Sequence, residues 1–128
     1  MNKTIFMDKY PVHSFEISKS EIKQKTVGEL AEYFREKIEA HPIAKNIAIF
    51  DHYTHTQSID GEINPEIKDA QNIIFCFGQA IPNSKILAVR PRSIGICEFE
   101  DKFSIDFLEA PKDKIQELMS EWTKALKI

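Results

Sequence analysis

The sequence predicts an α+β fold, a two-layer sandwich in which a mainly antiparallel sheet packs against helices. Two amphipathic helical patterns and a set of short apolar strand patterns between them are the observations behind this prediction. The predicted order is β-α-β-β-β-β-α. The chain has 128 residues, a length that suits a single domain spanning 1–128.

The first helical pattern begins after Thr26, three residues before Glu29. This spacing is that of a capping box, in which the hydroxyl and the carboxylate each accept a first-turn N–H group. The pattern ends at His41-Pro42, because a residue before proline avoids the helical conformation. One stripe holds the apolar residues Val27, Leu30, Ala31, Phe34 and Ile38.

The second helical pattern lies at the end of the chain. Pro111 suits its first turn, where no N–H group is needed, and Lys124 and Lys127 suit its C-terminal end. The apolar stripe consists of Ile115, Leu118, Met119, Trp122 and Leu126.

Five segments have strand patterns. They are 12–17, 47–55, 72–77, 94–99 and 103–107, and the third strand pattern is followed by Gly78. The last two form a predicted hairpin around the short turn 100–102, and 103–107 alternates with a period of two. Two long connections, 56–70 and 78–93, contain turn signals, and loops of this length are often functional.

The central strands have apolar residues on both faces. In 73–77, for example, Ile73 and Phe75 oppose Ile74 and Cys76. A half-solvated antiparallel sheet would alternate apolar and polar residues, so we expect both faces to be covered. If both helices lie on one face, a second copy of the chain, a ligand or the 78–93 loop must cover the other. We favour a homodimer over the alternative of one helix on each face.

Composition excludes several classes of protein. Lys plus Arg is 17 and Asp plus Glu is 20, a net charge of -3, which disfavours nucleic-acid binding. No segment reaches the roughly 18 apolar residues of a membrane span, and the N-terminus lacks the apolar core of a secretory signal. Cys76 and Cys97 lie in apolar runs, which favours reduced thiols and a cytoplasmic protein.

Four short motifs resemble the domain of unknown function 302 family. They are Thr26-Val27, Ile49-Phe50-Asp51-His52, Ile74-Phe75-Cys76-Phe77-Gly78 and Ile96-Cys97-Glu98-Phe99-Glu100-Asp101. The resemblance covers roughly residues 12–110 and implies a fold similar to the TATA-box-binding-protein-like group, often dimeric, with no assigned reaction. The chain departs from that family where Gln79-Ala80 follows Phe-Gly, since the family usually has Asn-Pro there.

His52 and His55 form a His-x-x-His pair. On a strand, residues three apart point to opposite faces, so the pair predicts no metal site. Cys76 would be a further ligand only if its strand lay beside His52. Asp51 next to His52 suggests an acid–base pair, but adjacent strand residues also point apart.

The 78–93 loop carries Lys85, Arg90 and Arg92. Arginine side chains bind carboxylates and phosphates through two parallel hydrogen bonds, so this loop predicts a site for a small anionic ligand. Cys76 and Cys97 are expected on neighbouring strands, close enough for a disulfide or a shared soft metal, or simply as buried core residues.

The sequence thus predicts a non-enzymatic, homodimeric binding or accessory module. Its predicted ligand-binding residues are His52, Gly78, Arg90 and Arg92, its ligand is a small anion, and no catalytic residue, metal or cofactor is assigned. The alternative is a small metal-dependent or acid–base enzyme that uses His52.

Overall fold

A computed structural model describes all residues from 1 to 128 and contains one six-stranded antiparallel sheet. The strands are β1 (Asn2–Phe6), β2 (Tyr10–Ser18), β3 (Lys45–Phe50), β4 (Asp69–Cys76), β5 (Arg92–Glu98) and β6 (Lys102–Leu108). The helices are α1 (Val27–Ala40), α2 (His52–Ser58) and α3 (Asp113–Lys124), with 3₁₀ turns at Lys19–Glu21 and Ser84–Val89. The order across the sheet is β1-β2-β6-β5-β4-β3.

This architecture confirms the predicted α+β class and the two-layer sandwich. Both helical patterns form helices, and the predicted hairpin is β5 and β6, paired from Gly95–Asp106 to Glu98–Phe103. No helix combines the length and the apolar character that crossing a membrane requires.

Helices α1 and α3 both pack on one face of the sheet, here called the core face. Alternate strand residues point to it, as the period of two requires. They are Ile17, Ile73, Phe75, Ile94, Ile96, Phe103, Ile105 and Phe107, all buried. The helices contribute Val27, Leu30, Ala31, Phe34, Ile38, Met119 and Trp122, and Leu126 joins them just after α3 ends. Both predicted apolar stripes therefore face one shared core.

The opposite face, here called the open face, has no long helix on it. Its central row runs across four strands as Asn72, Gly95, Asp106 and Ser14, aligned by the strand register. The expectation that this face is apolar is therefore wrong at its centre. Small and polar residues take the positions beside Ile74, and Phe50 and Leu108 on this face stay exposed.

The segment predicted as a continuation of the 47–55 strand is instead helix α2. The Asp51 side chain accepts a hydrogen bond from the Thr54 N–H at 3.0 Å, which makes Asp51 the N-cap of this helix. Aspartate is among the strongest N-cap residues, and it ends the strand here.

Strand β1 was not predicted. It pairs with β2 through a tight turn in which Met7 and Asp8 have φ angles of 55° and 57°. Positive φ at both central residues is typical of a type I′ hairpin turn, which Asn-Gly usually signals. Met7-Asp8 lacks that signal, so the hairpin is hidden in the sequence.

The predicted capping by Thr26 and Glu29 at the start of α1 is present, with the carboxylate bonded one residue before the N-cap rather than at it. The Thr26 hydroxyl accepts the Glu29 N–H at 3.0 Å, and the Glu29 carboxylate accepts the Lys25 N–H at 2.5 Å. We expect Thr26→Ala to lower the free energy of unfolding by about 1 kcal/mol. Lys112, the N-cap position of α3, makes no side-chain cap bond, so Lys112→Ala is the matched control with little change. Equal losses in urea titrations of the two variants would contradict this account of the cap.

Candidate ligand-binding site

Two of the four predicted site residues, Gly78 and Arg90, are in contact. The Arg90 guanidinium lies against the Gly78 backbone, and a Cβ atom at position 78 would stand 2.6 Å from its Cζ. Arg90 Nη1 also donates a hydrogen bond to the Ala80 carbonyl at 2.7 Å. Arg90 therefore holds the start of the 78–91 segment in place, and Gly78 leaves the space that the Arg90 guanidinium occupies.

Arg92 is the third predicted residue, and its side chain is half-buried. It is the first residue of β5, on the core face in register with Phe75, and its Nη2 donates to the Leu108 carbonyl. No carboxylate oxygen lies within 4.0 Å of it. Its Nε is buried and has no hydrogen-bond acceptor in the chain. Burial lowers the pKa of the Arg92 guanidinium below its usual value.

A cavity of about 580 Å³ lies beside Arg92, and we call it the Arg92 cavity. It opens where four elements meet, namely the Ser84–Val89 3₁₀ turn, the start of β5, the end of β6 and the first turn of α3. Its lining combines apolar and polar groups, namely Ala88, Val89, Pro91, Arg92, Ser93, Leu108, Glu109, Ala110, Pro111, Asp113 and Gln116. A space of this size can enclose a small organic molecule.

Glu109 is one of two carboxylates on the cavity wall, with Asp113, and it is hydrogen-bonded to two basic side chains. Its Oε1 lies 2.9 Å from Lys3 Nζ and 3.0 Å from His13 Nε2. The hydrogen bond from Lys3, and then that from His13, lower the pKa of Glu109. The Glu109 carboxylate is therefore bound to Lys3 and His13 rather than to Arg92. The positive charge of the Arg92 guanidinium is left without a carboxylate partner.

His52 lies apart from the other three predicted site residues. Its Nδ1 is 3.1 Å from Asn72 Oδ1, and Asn72 Nδ2 donates to Ser93 Oγ at 3.1 Å. Asn72 is four residues before the end of β4, roughly 13 Å, and Gly78 lies beyond that end. The structure therefore brings Gly78 and Arg90 into contact, and Arg92 follows Arg90 by two residues along the chain. His52 lies at a different position, beside Asn72.

Helix α2 also changes the geometry of His52 and His55. Residues three apart on a helix share a side, and both imidazoles contact the Phe50 ring, with centroids 5.2 and 5.5 Å away. The prediction that they point to opposite faces of a strand is therefore wrong. No group of three His, Cys, Asp or Glu side chains is placed to hold a metal ion.

The two cysteines lie on neighbouring strands but far apart along them. Cys97 is in register with Ala70, six residues before Cys76 on β4, a separation of roughly 20 Å. Both thiols are free. The favoured interpretation of two separate reduced thiols agrees with this geometry, and the alternatives of a disulfide or a shared metal are wrong. Cys76 is also remote from His52, since it is in register with Lys45.

Sequence reasoning missed a second polar cluster, centred on Asp106. Its two carboxylate oxygens accept hydrogen bonds from Ser14 at 2.5 Å and from Ser104 at 2.9 Å. The alternation of 103–107 does put Ser104 and Asp106 on the face away from the core. Their pairing with Ser14 depends on the β2–β6 register, which joins residues more than ninety positions apart.

The family of unknown function DUF6858 matches residues 1–128. The chain belongs to this family. The finer assignment to the domain of unknown function 302 family is not confirmed, although the implied layout of strands and helices agrees with the structure. No curated protein and no solved structure matches the chain. This DUF6858 protein thus has a family and a fold, and its function must be argued from its own side chains.

Proposed function

We propose that this protein is a binding module for a small organic carboxylate, which it holds in the Arg92 cavity. The observation that carries the proposal is the half-buried Arg92 guanidinium, which has no carboxylate partner and a buried Nε without an acceptor. A desolvated cation without a counter-ion is unfavourable, and a bound anion would offset that unfavourable term.

The chemistry of the cavity favours a carboxylate over a phosphate. Arg92 is the one arginine on the wall, and a single guanidinium matches the charge and the two oxygens of a carboxylate. Val89, Leu108 and Ala110 on the same wall suit an aliphatic or aromatic body attached to it. The first turn of α3 has no side-chain cap, and its N–H groups add positive potential at this end of the sheet, which the Asp113 carboxylate in the same turn reduces.

Arg90 and Gly78 have a positioning role in this proposal. Their contact and the Arg90 hydrogen bond to Ala80 hold the segment that leads to Ala88, Val89 and the cavity wall. His52 lies outside the cavity. The enzyme alternative has less support, because the His52 imidazole is hydrogen-bonded to the Asn72 side-chain amide and to no nucleophilic side chain.

The proposal is tested by titrating the protein with valerate in a calorimeter. We expect saturable binding to the native chain and at least tenfold weaker binding to Arg92→Gln, because glutamine keeps a donor but not the charge. Arg35→Gln is the matched control, since Arg35 lies on α1 and is paired with Glu32 and Glu39. Absence of saturable binding, or equal weakening in both variants, would refute the proposal.

We also propose that the protein forms a homodimer through the edge of the sheet at β3. This edge strand has no neighbour on its outer side, and Ile47, Ile49 and Phe50 are 51%, 38% and 39% exposed. Exposed apolar edges favour pairing with another strand. Light scattering should give twice the chain mass for the native protein and the chain mass for Ile47→Lys. A monomer at every concentration tested would rule out the dimer.

A further inference from the structure

A groove of about 520 Å³ crosses the open face of the sheet next to the Arg92 cavity. We call it the Asp106 groove. Its floor is polar or small, with Ser14, Asn72, Ser93, Gly95 and Asp106, and its sides are apolar, with Phe6, Val12 and Leu108. Ser93 and Leu108 line both the groove and the cavity, so the two spaces meet at these residues.

Asp106 is the charged group of this groove, and no cation compensates it. The carboxylate is partly buried and is held by the hydroxyls of Ser14 and Ser104. No Lys, Arg or His nitrogen lies within 4.0 Å of it. Two hydroxyl donors orient the carboxylate without neutralising it, and its remaining lone pairs can accept from a cationic donor.

The two uncompensated charges lie at the same end of the sheet but belong to opposite faces, Arg92 to the core face and Asp106 to the open face. The β5–β6 pairing ends at Gly95 and Asp106, and beyond it the Arg92 guanidinium binds the Leu108 carbonyl. Asp106 is two residues before Leu108 on β6, a separation of roughly 7 Å along the strand. Because the β5–β6 pairing has already ended at Leu108, and Ser93 and Leu108 line both spaces, a ligand that binds both groups must cross from one face to the other at this point.

We propose that the ligand is an elongated zwitterion, with a carboxylate at Arg92 and an ammonium group at Asp106. The inference rests on the proposed carboxylate site and names the class of molecule that fills it. The spacing excludes α-amino acids, whose two charges are separated by a single carbon. It fits an ω-amino acid whose methylene chain lies against Leu108, because apolar contact there removes alkyl surface from water.

The test compares three probes with the same five-carbon skeleton. Valerate carries only the anion, pentylamine only the cation, and δ-aminovalerate both. We expect δ-aminovalerate to bind the native protein at least tenfold more tightly than valerate, a difference of about 1.4 kcal/mol. Pentylamine should bind more weakly than δ-aminovalerate by a similar factor.

Two variants assign the effect to the groove. Asp106→Asn should bring the affinity for δ-aminovalerate down to that for valerate and leave valerate binding unchanged. Gly95→Val should also lower the affinity for δ-aminovalerate to that for valerate, because the valine side chain occupies the floor of the groove. The fold can accept this change, since a Cβ at this position meets no atom closer than 3.5 Å. Thermal unfolding of both variants confirms that they remain folded.

The outcomes separate this inference from the proposal it rests on. Equal affinity for δ-aminovalerate and valerate, with both lost in Arg92→Gln, would overturn the zwitterion and retain the carboxylate site. An advantage of δ-aminovalerate that persists in Asp106→Asn and Gly95→Val would also overturn it. If none of the probes binds the native protein, both proposals fail.

Discussion

Replacement of Phe75 by alanine is expected to lower the free energy of unfolding by about 3–5 kcal/mol. Phe75 is fully buried on the core face, near the C-terminal end of β4. Its ring is 5.5 Å from that of Phe77 and 6.4 Å from that of Trp122, measured between centroids. Removal of this ring would leave a cavity between the sheet and α3, because close-packed interiors collapse only in part.

Phe50→Ala is the matched control, and it tests whether the core lies on the face of the sheet that carries Phe75. It removes the same side chain from the other face of the sheet, where Phe50 contacts His52 and His55 and is 39% exposed. We expect a loss of about 1 kcal/mol. Urea titrations of both variants measure the difference. Equal losses would contradict the placement of both long helices on one face.

Alkylation of Cys97 by iodoacetamide is expected to be about a hundredfold slower at pH 8 than that of an ordinary thiol. Burial, and then the charges of Asp106, Asp69 and Glu98, raise the pKa of Cys97 to about 11 from an ordinary 9.0. The thiolate is the reactive form, and each pKa unit lowers its fraction tenfold below the pKa. The rate should therefore increase with pH until about pH 11.

Peptide mapping by mass spectrometry follows each cysteine separately. Full alkylation of the protein in denaturant provides the reference rate for Cys97 without the fold. Asp106→Asn should speed the reaction, because one of the anions that raise the pKa of Cys97 is removed. Rapid alkylation of Cys97 in the native protein would contradict this account, because it would mean that the thiol is more exposed to solvent or feels less negative charge than the structure indicates.

The long helices were predictable because their signals are local. The Thr26–Glu29 capping box and the spacing of Phe34 and Ile38 require only neighbours on the same helix. The alternation around Ile105 likewise assigned the two faces of β6 correctly. Such patterns reflect the 3.6-residue and two-residue periods, which do not depend on the rest of the chain.

The errors arose where a short-range pattern was ambiguous. The 51–55 segment extended an apolar strand, and the N-cap bond of Asp51 decided for a helix. The Met7-Asp8 turn carries no glycine or asparagine, so β1 was hidden. The apolar residues on both faces of the central strands also led to a wrong prediction for the open face, because Gly95 and Ser93 at its centre are small.

The site was predictable only in part. The Arg90–Arg92 spacing directed attention to the loop that borders the proposed site, and residues two apart share a side in an extended chain. Yet Arg90 donates to Ala80 within its own loop, whereas Arg92 lies beside a cavity. Asp106 and Ser14 required the β2–β6 register, a pairing over long sequence separation that composition and periodicity do not encode.

Nuclear magnetic resonance of the arginine Nε–H groups tests the central claim most directly, since the chain has only Arg35, Arg90 and Arg92. During a titration with valerate, the account predicts a saturable change in the Arg92 signal. The signals of Arg35, paired with Glu32 and Glu39, and of Arg90, bound to Ala80, should stay in place. An Arg92 signal that does not move, or that moves together with the other two without saturation, would contradict a carboxylate site at Arg92.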